Sequence, residues 1–170
     1  QTGANKKGPA KKSAGVSSVS LLRDQKKRLA EAELLLDISR RISAMDSLDA
    51  VLKMLVETAT SRLNAERGSL FLNDPNTNEL YSRVAMGNFM REIRILSTSG
   101  IAGHVFTSGE GLIIPDAYAD SRFNRNIDEQ TGFVTRNILC VPIKTAKGQI
   151  MAVAQILNKK KGRFNKEDMR

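Results

Sequence analysis

Tryptophan is absent from the 170 residues, aromatic side chains make up only 5%, and cysteine and histidine occur once each, as Cys140 and His104. One cysteine cannot close an intrachain disulfide, and one Cys with one His cannot form a Cys/His metal cage. Cys140 lies in the apolar run from Ile138 to Ile143, the setting of a buried structural thiol rather than of a nucleophile. His104 follows Gly103 with no Cys or Ser partner nearby, which favours a hydrogen-bonded structural role and leaves no catalytic triad to assemble. No apolar run approaches the roughly 18 residues of a membrane span. Gln1 in place of Met is expected of a processed or excised fragment. The expectation is therefore a soluble, cytoplasmic piece of a longer protein, with no metal, cofactor or enzymatic centre of its own.

What is present is an aliphatic globular composition, 41% hydrophobic, in a length suited to one domain. The net charge of +9 invites a nucleic-acid reading, but residues 1 to 28 carry eight Lys and Arg against Asp24 alone. The remainder holds nineteen against seventeen and is nearly neutral. A basic arm without interleaved aromatics is a solvated linker, so nucleic acid is not an expected partner. Residues 1–18, rich in Gly, Lys, Ser and Ala, cannot offset the entropy of ordering and are expected to be disordered.

From residue 19 to 45 the pattern is helical, with Leu22, Leu29 and Leu36 seven apart and Leu35, Ile38, Ile42 and Met45 along one stripe. That stripe fits either a two-stranded parallel coil joining a homodimer or packing within its own domain. Asp46 or Ser47 caps a second helix through about Asn64, whose apolar face, including Leu48, Val51, Leu52, Leu55 and Val56, calls for a sheet. Strands follow at Ser69 to Leu72, Leu80 to Met86 and Arg91 to Leu96, the first two joined by the turn residues Asp74 to Asn78. Two more, about Asn137 to Thr145 and Gln149 to Leu157, flank Ala146-Lys147-Gly148. Between the two sets lies an irregular insert of about 40 residues, long enough to imply function. Within it, Gly100-Ile101-Ala102-Gly103 opens a helix whose free amides suit a phosphodiester. Phe123 to Gly132 forms a short polar helix placing Asn124, Ile127, Asp128 and Thr131 on one face, fit to cover a small polar ligand.

Arg94-Ile95, the run Gly100 to Val105, Ile114-Pro115-Asp116-Ala117-Tyr118, Phe123-Asn124, Asp128, Thr131-Gly132-Phe133, Thr135 to Cys140 and Pro142-Ile143 together resemble the GAF domain. More narrowly, they resemble its cyclic-nucleotide-binding type, found in bacterial adenylyl cyclases and in cyclic-nucleotide phosphodiesterases. The closing Asn158-Lys159, Phe164 and Asp168 follow that type's terminal motif, with Met169 where its final Glu stands. The resemblance implies an α+β fold with a central, mostly antiparallel sheet, N-terminal helices on one face and a ligand pocket with a helical lid on the other. It assigns residues 46–170 to the domain, with its last helix truncated, and 19–45 to a signalling or dimerisation helix.

By the same resemblance, Ile101 and Ala102 offer backbone amides to a cyclic phosphate, Asn124 and Asp128 lie near phosphate and ribose, and Thr131 shares their helix. Thr135 and Ser69 meet the base, and Gln155 stands where relatives often have Glu. Lys159 and Asp168 pair to hold the lid closed, although two such residues read alone are equally a surface pair worth roughly 0 to 1 kcal/mol. Met169 removes a polar member of that latch, which is expected to weaken it. Relatives that bind cGMP carry Phe-Asp where this chain has Ala85-Met86, so cAMP is the expected ligand over cGMP. Arg83 would reach adenine N1 or N7 if it pointed inward. Occupancy would pass through the flanking helices to an output domain such as a nucleotide cyclase or phosphodiesterase. The competing expectation is a dimerisation module with an empty pocket or another small molecule. A bilin-binding photosensor needs a suitably placed thiol with a neighbouring His, which Cys140 does not provide.

Overall fold

A computed structural model of the chain describes residues 18–85 and 92–169. Residues 1–17 therefore lie outside the described residues, as do Met86 and Arg91, while Arg23, Lys26, Lys27 and Arg28 of the basic arm belong to the described helix. Contacts divide the chain into two compact units, Gln1–Ala44 and Met45–Arg170.

Of the first unit, the described part is helix α1, Ser18–Ser43, which buries none of its residues. Along its surface Asp24 pairs with Arg28 at 3.0 Å and Asp37 with Arg41 at 3.2 Å, one helical turn apart. Leu22, Leu29, Leu35 and Leu36 are all exposed.

The second unit opens with α2, Leu48–Arg62. Ser47, rather than Asp46, is its N-cap and accepts a hydrogen bond from the Ala50 amide at 3.1 Å. The helix ends at Arg62, short of Asn64, because Asn64 takes a left-handed φ of 50° and turns the chain directly into β1. Six antiparallel strands form one sheet in the order β3-β2-β1-β6-β5-β4. They are β1 (Ala65–Asp74), β2 (Glu79–Ala85), β3 (Arg94–Leu96), β4 (Leu112–Ile114), β5 (Ile138–Lys144) and β6 (Ile150–Lys159). The stretch expected to be an irregular insert holds α3 (Gly100–Ser108), β4, a single 3₁₀ turn at Ala117–Ala119 and α4 (Arg125–Thr131). β4 pairs with β5 as an edge strand; three residues are too few to display an alternation.

Alternation along β1 and β6 gives the sheet two different faces. On one, α2 closes over β1, with Val56, Leu70 and Ala152 as the buried centre. Gly68 permits this approach, because a Cβ there would collide with Thr60 Oγ1 and Val56 Cγ1. The same face carries a second cluster in which Phe164 of the C-terminal segment covers Ala65, Leu139 and Ile156. On the opposite face, Phe71, Leu80, Ile138, Cys140 and Val153 pack against Ile101, Ala102 and Val105 of α3. Each such fully buried aliphatic or aromatic side chain contributes roughly 1.5 to 3 kcal/mol. Cys140 is part of this core, and burial pushes its thiol pKa up to about 12.

Candidate ligand-binding site

The α3 face of the sheet leaves a concave space, partly open to solvent, between β1, β5, β6, the start of α3 and α4. Its floor comes from alternate strand positions: Arg67, Ser69 and Phe71 of β1, Ile138 of β5, and Gln155 and Leu157 of β6. Ser69 and Gln155 face each other in the β1–β6 register, so the two polar floor groups are neighbours. One wall is the start of α3, where Ser99, Gly100, Ile101 and Ala102 line the space. The first amides of a helix have no carbonyl one turn back to bond, and here Gly103 is the first to reach one, that of Ser99 at 3.1 Å. The amides of Gly100, Ile101 and Ala102 thus form a partial positive charge at the cavity edge.

Opposite the floor stands α4. Asn124 is its N-cap, accepting from the Asn126 amide at 3.2 Å, and Gly132 closes it in a left-handed conformation with φ 66°. Asn124, Ile127, Asp128 and Thr131 line the cavity, the shared face expected from their spacing. Asp128 is buried and fully engaged within the protein. Its Oδ1 accepts from Thr135 Oγ1 at 2.7 Å, and its Oδ2 accepts from the Thr135 amide at 2.6 Å and from the Tyr118 hydroxyl at 3.1 Å. The carboxylate therefore fastens α4 to the segments before and after it. Partial desolvation, then the hydrogen bond to Asp128, raises the Tyr118 pKa above the ordinary phenol value.

Ser69, Ile101, Ala102, Asn124, Asp128, Thr131, Thr135 and Gln155 are thus brought around one space. Arg83 is not among them, a correction with a local cause. Leu70 pairs with Val84 and Phe71 with Ser82, so Arg83 is the extra residue of a β-bulge. Its guanidinium turns to Asp49 at the start of α2, donating from Nε at 2.7 Å and from Nη2 at 3.0 Å. Met86 lies outside the described residues. His104 is exposed on α3, a surface position rather than the hydrogen-bonded structural one expected.

Arg67 and Phe133 were not anticipated. The Arg67 guanidinium lies 3.9 Å from the centroid of the Phe133 ring, and both line the cavity just beyond the end of α4. A strand Arg next to an expected floor residue and an aromatic after the helix-ending Gly132 were the available signals.

Lys159 and Asp168 do pair, Nζ to Oδ2 at 2.6 Å, with both side chains largely buried. Their surroundings differ from a latch acting directly on the lid. Lys159 lies over the Phe164 ring at 5.6 Å, and Asp168 also accepts from the Asn165 amide at 2.8 Å. The pair pins the C-terminal segment to the sheet, on the face that carries Phe164. Met169, expected to weaken the latch, packs beside the Phe164 cluster and over Gly111. Asn158, the neighbour of Lys159, is completely buried. Its Oδ1 accepts from the amides of Arg136 at 2.6 Å and Asn137 at 3.4 Å, and its Nδ2 donates to Glu66 and to the Val134 carbonyl, each at 2.9 Å.

The sequence matches the GAF domain family over residues 47–170. The chain belongs to that family. Its GAF domain is 37% identical over 150 residues to a probable 3',5'-cyclic phosphodiesterase of Caenorhabditis elegans, covering 81% of this chain and 20% of that protein. It is also 37% identical over 158 residues to the dual 3',5'-cyclic-AMP and -GMP phosphodiesterase 11 of Drosophila melanogaster, covering 84% of this chain and 11% of that one. The chain therefore spans a fifth or less of the length of these relatives. Among solved structures, the GAF domain of a phosphoenolpyruvate-protein phosphotransferase from Coxiella burnetii superposes with a TM-score of 0.71 at 21% identity, covering 81% of this chain and 82% of that one. A free methionine-R-sulfoxide reductase from Neisseria meningitidis gives 0.65 at 18% identity, covering 81% and 78%. These likenesses establish the antiparallel GAF fold. Among the described residues, no helix is long and apolar enough to cross a membrane.

Proposed function

We propose that this GAF domain is a regulatory module that binds a 3',5'-cyclic nucleotide, cAMP in preference to cGMP. The observation that carries the reading is the opposition, across one cavity, of the first amides of α3, unbonded among the described residues, and the polar face of α4 above a floor bearing Ser69 and Gln155. The amides suit a singly charged cyclic phosphate, which needs charge complementarity without a full cation. Asn124 and Thr131 meet the ribose and phosphate from above, while Thr135, Ser69 and Gln155 meet the base. Asp128 supports the site by holding α4, since both its oxygens are already bonded. A carboxamide at Gln155 offers one donor and one acceptor, the pattern of an adenine edge, whereas a carboxylate there would favour the donors of guanine.

The relatives named as cyclic-nucleotide phosphodiesterases support a signalling role. On this reading the parent protein is a cytoplasmic phosphodiesterase or adenylyl cyclase. The domain itself binds rather than catalyses, and two chains associate through α1. Denaturing the purified protein and identifying released nucleotide by mass, followed by calorimetry, tests the reading. Cyclic AMP binding more tightly than cGMP is the expected result. No heat with either at millimolar concentration, beside a persistent dimer, would replace it with a dimerisation module. Gln155→Glu is expected to shift the cAMP-to-cGMP affinity ratio toward cGMP by about tenfold.

A further inference from the structure

Regular alternation along β6 would put Asn158 on the Phe164 face and Lys159 on the cavity face, because Gln155 and Leu157 line the cavity and Ile156 packs with Phe164. The opposite is found. Asn158 takes a left-handed φ of 58°, which reverses the sense of the strand at that residue. Its side chain bonds the segment that follows α4, and Lys159 turns onto Phe164 and Asp168. Two consecutive residues thus grip two segments attached to opposite faces of the sheet.

The grip on the α4 side is saturated. The carboxamide has two donor and two acceptor positions, and Val134, Arg136, Asn137 and Glu66 occupy all four. Glu66 is held in turn by Arg136 at 2.7 Å, and these two partners lower its pKa below the ordinary carboxylate value, Arg136 first and Asn158 second. One residue before Arg136, Thr135 holds Asp128 of α4 through both its amide and its hydroxyl. On the other side, the Lys159 amide donates to Asn137 Oδ1 at 2.9 Å. An unbroken path of hydrogen bonds and single covalent steps therefore runs from α4, through Thr135 and Asn158, to Lys159 and Asp168.

We propose that Asn158 is the joint through which movement of α4 is transmitted to the C-terminal segment, a positioning residue and not a ligand contact. This rests on the reading of α4 as a ligand-responsive lid. Were Thr135 to move with an opening α4, Asn158 could not follow without breaking buried hydrogen bonds or shifting Lys159. Asn suits the post because it tolerates a left-handed φ and supplies donors and acceptors together.

Hydrogen–deuterium exchange on the full chain tests the joint with and without cAMP. In the unaltered chain cAMP is expected to slow exchange in residues 124–137 and also in 163–169. Asn158→Gly accepts the same φ and removes only the side chain; it should keep the slowing in 124–137 and lose most of that in 163–169. A ligand-free arm separates the joint from the choice of ligand. Thr135→Val loosens α4 and should speed exchange in 163–169 by about tenfold in the Asn158 background, but by less than about twofold in Asn158→Gly. Asn137→Ala, which removes the acceptor for the Lys159 amide and keeps Asn158, should uncouple the segments in the same direction if Asn158→Gly fails to fold. Equal acceleration in both backgrounds, or none in either, would overturn the joint. Coupling in the ligand-free arm with no cAMP binding would leave it standing and overturn only the ligand assignment.

Discussion

Asp120 accepts from the Arg122 guanidinium at 2.9 and 2.7 Å and from the Arg122 amide at 3.0 Å. Those bonds hold its carboxyl pKa at about 2, below the usual 3.8. A depressed folded-state pKa contributes stability that is complete above the unfolded value and is lost as pH falls toward the folded one. Asp120→Asn should therefore cost about 1.5 kcal/mol near pH 6, with the gap closing between pH 4 and pH 2 in urea titrations. A difference that stayed constant over that window would deny the pair this role. Thr135→Val should cost roughly 1.5 to 3 kcal/mol, because it leaves a buried carboxylate short of a donor, and should weaken cAMP binding through α4. Cys140 is the converse case, a reactive residue type made inert by its strand. A thiol reagent at pH 8 should leave it unmodified in the native protein and modify it fully in denaturant, whereas rapid native labelling would contradict its place in the core.

At the level of elements, the contact between α2 and β1 depends on a residue with no side chain. Gly68→Ala should destabilise the domain by about 1 to 3 kcal/mol, measured by thermal or urea unfolding, since Thr60 Oγ1 already bonds the Val56 carbonyl at 2.7 Å and has little room to give. That contact also shows what the sequence reveals and what it conceals. The apolar period of α2, the alternation of β1 and the Asp74 to Asn78 turn are local patterns, and all are legible. β4 was not, because three residues carry no period and its strand character comes from pairing with β5. Arg83 was placed by a bulge that shifts the register at Leu70 and Phe71, and neither residue signals it. The site was legible where motif and helical spacing coincided, at Ile101, Ala102, Asn124 and Asp128. It was opaque where tertiary neighbours decide, as in the stacking of Arg67 on Phe133 and in the inward-turned carboxamide of Asn158.

Across the whole molecule, the two units place opposite demands on solvent. The unit from Met45 onward closes its own core on both faces of the sheet, so a chain of residues 45–170 should fold alone and unfold cooperatively. Helix α1 has no such core. Its exposed Leu22, Leu29 and Leu36 repeat at seven residues, the spacing that a second helix can cover, and an isolated helix of 26 residues gains little from propensity alone. The proposed dimer follows from this imbalance. Replacing Leu29 and Leu36 with Lys should convert the chain from dimer to monomer in sedimentation experiments and reduce its helical circular dichroism, while the unfolding midpoint of residues 45–170 stays within about 0.5 kcal/mol of its original stability. A dimer that survived both substitutions would move the interface to the second unit and leave α1 exposed for another partner.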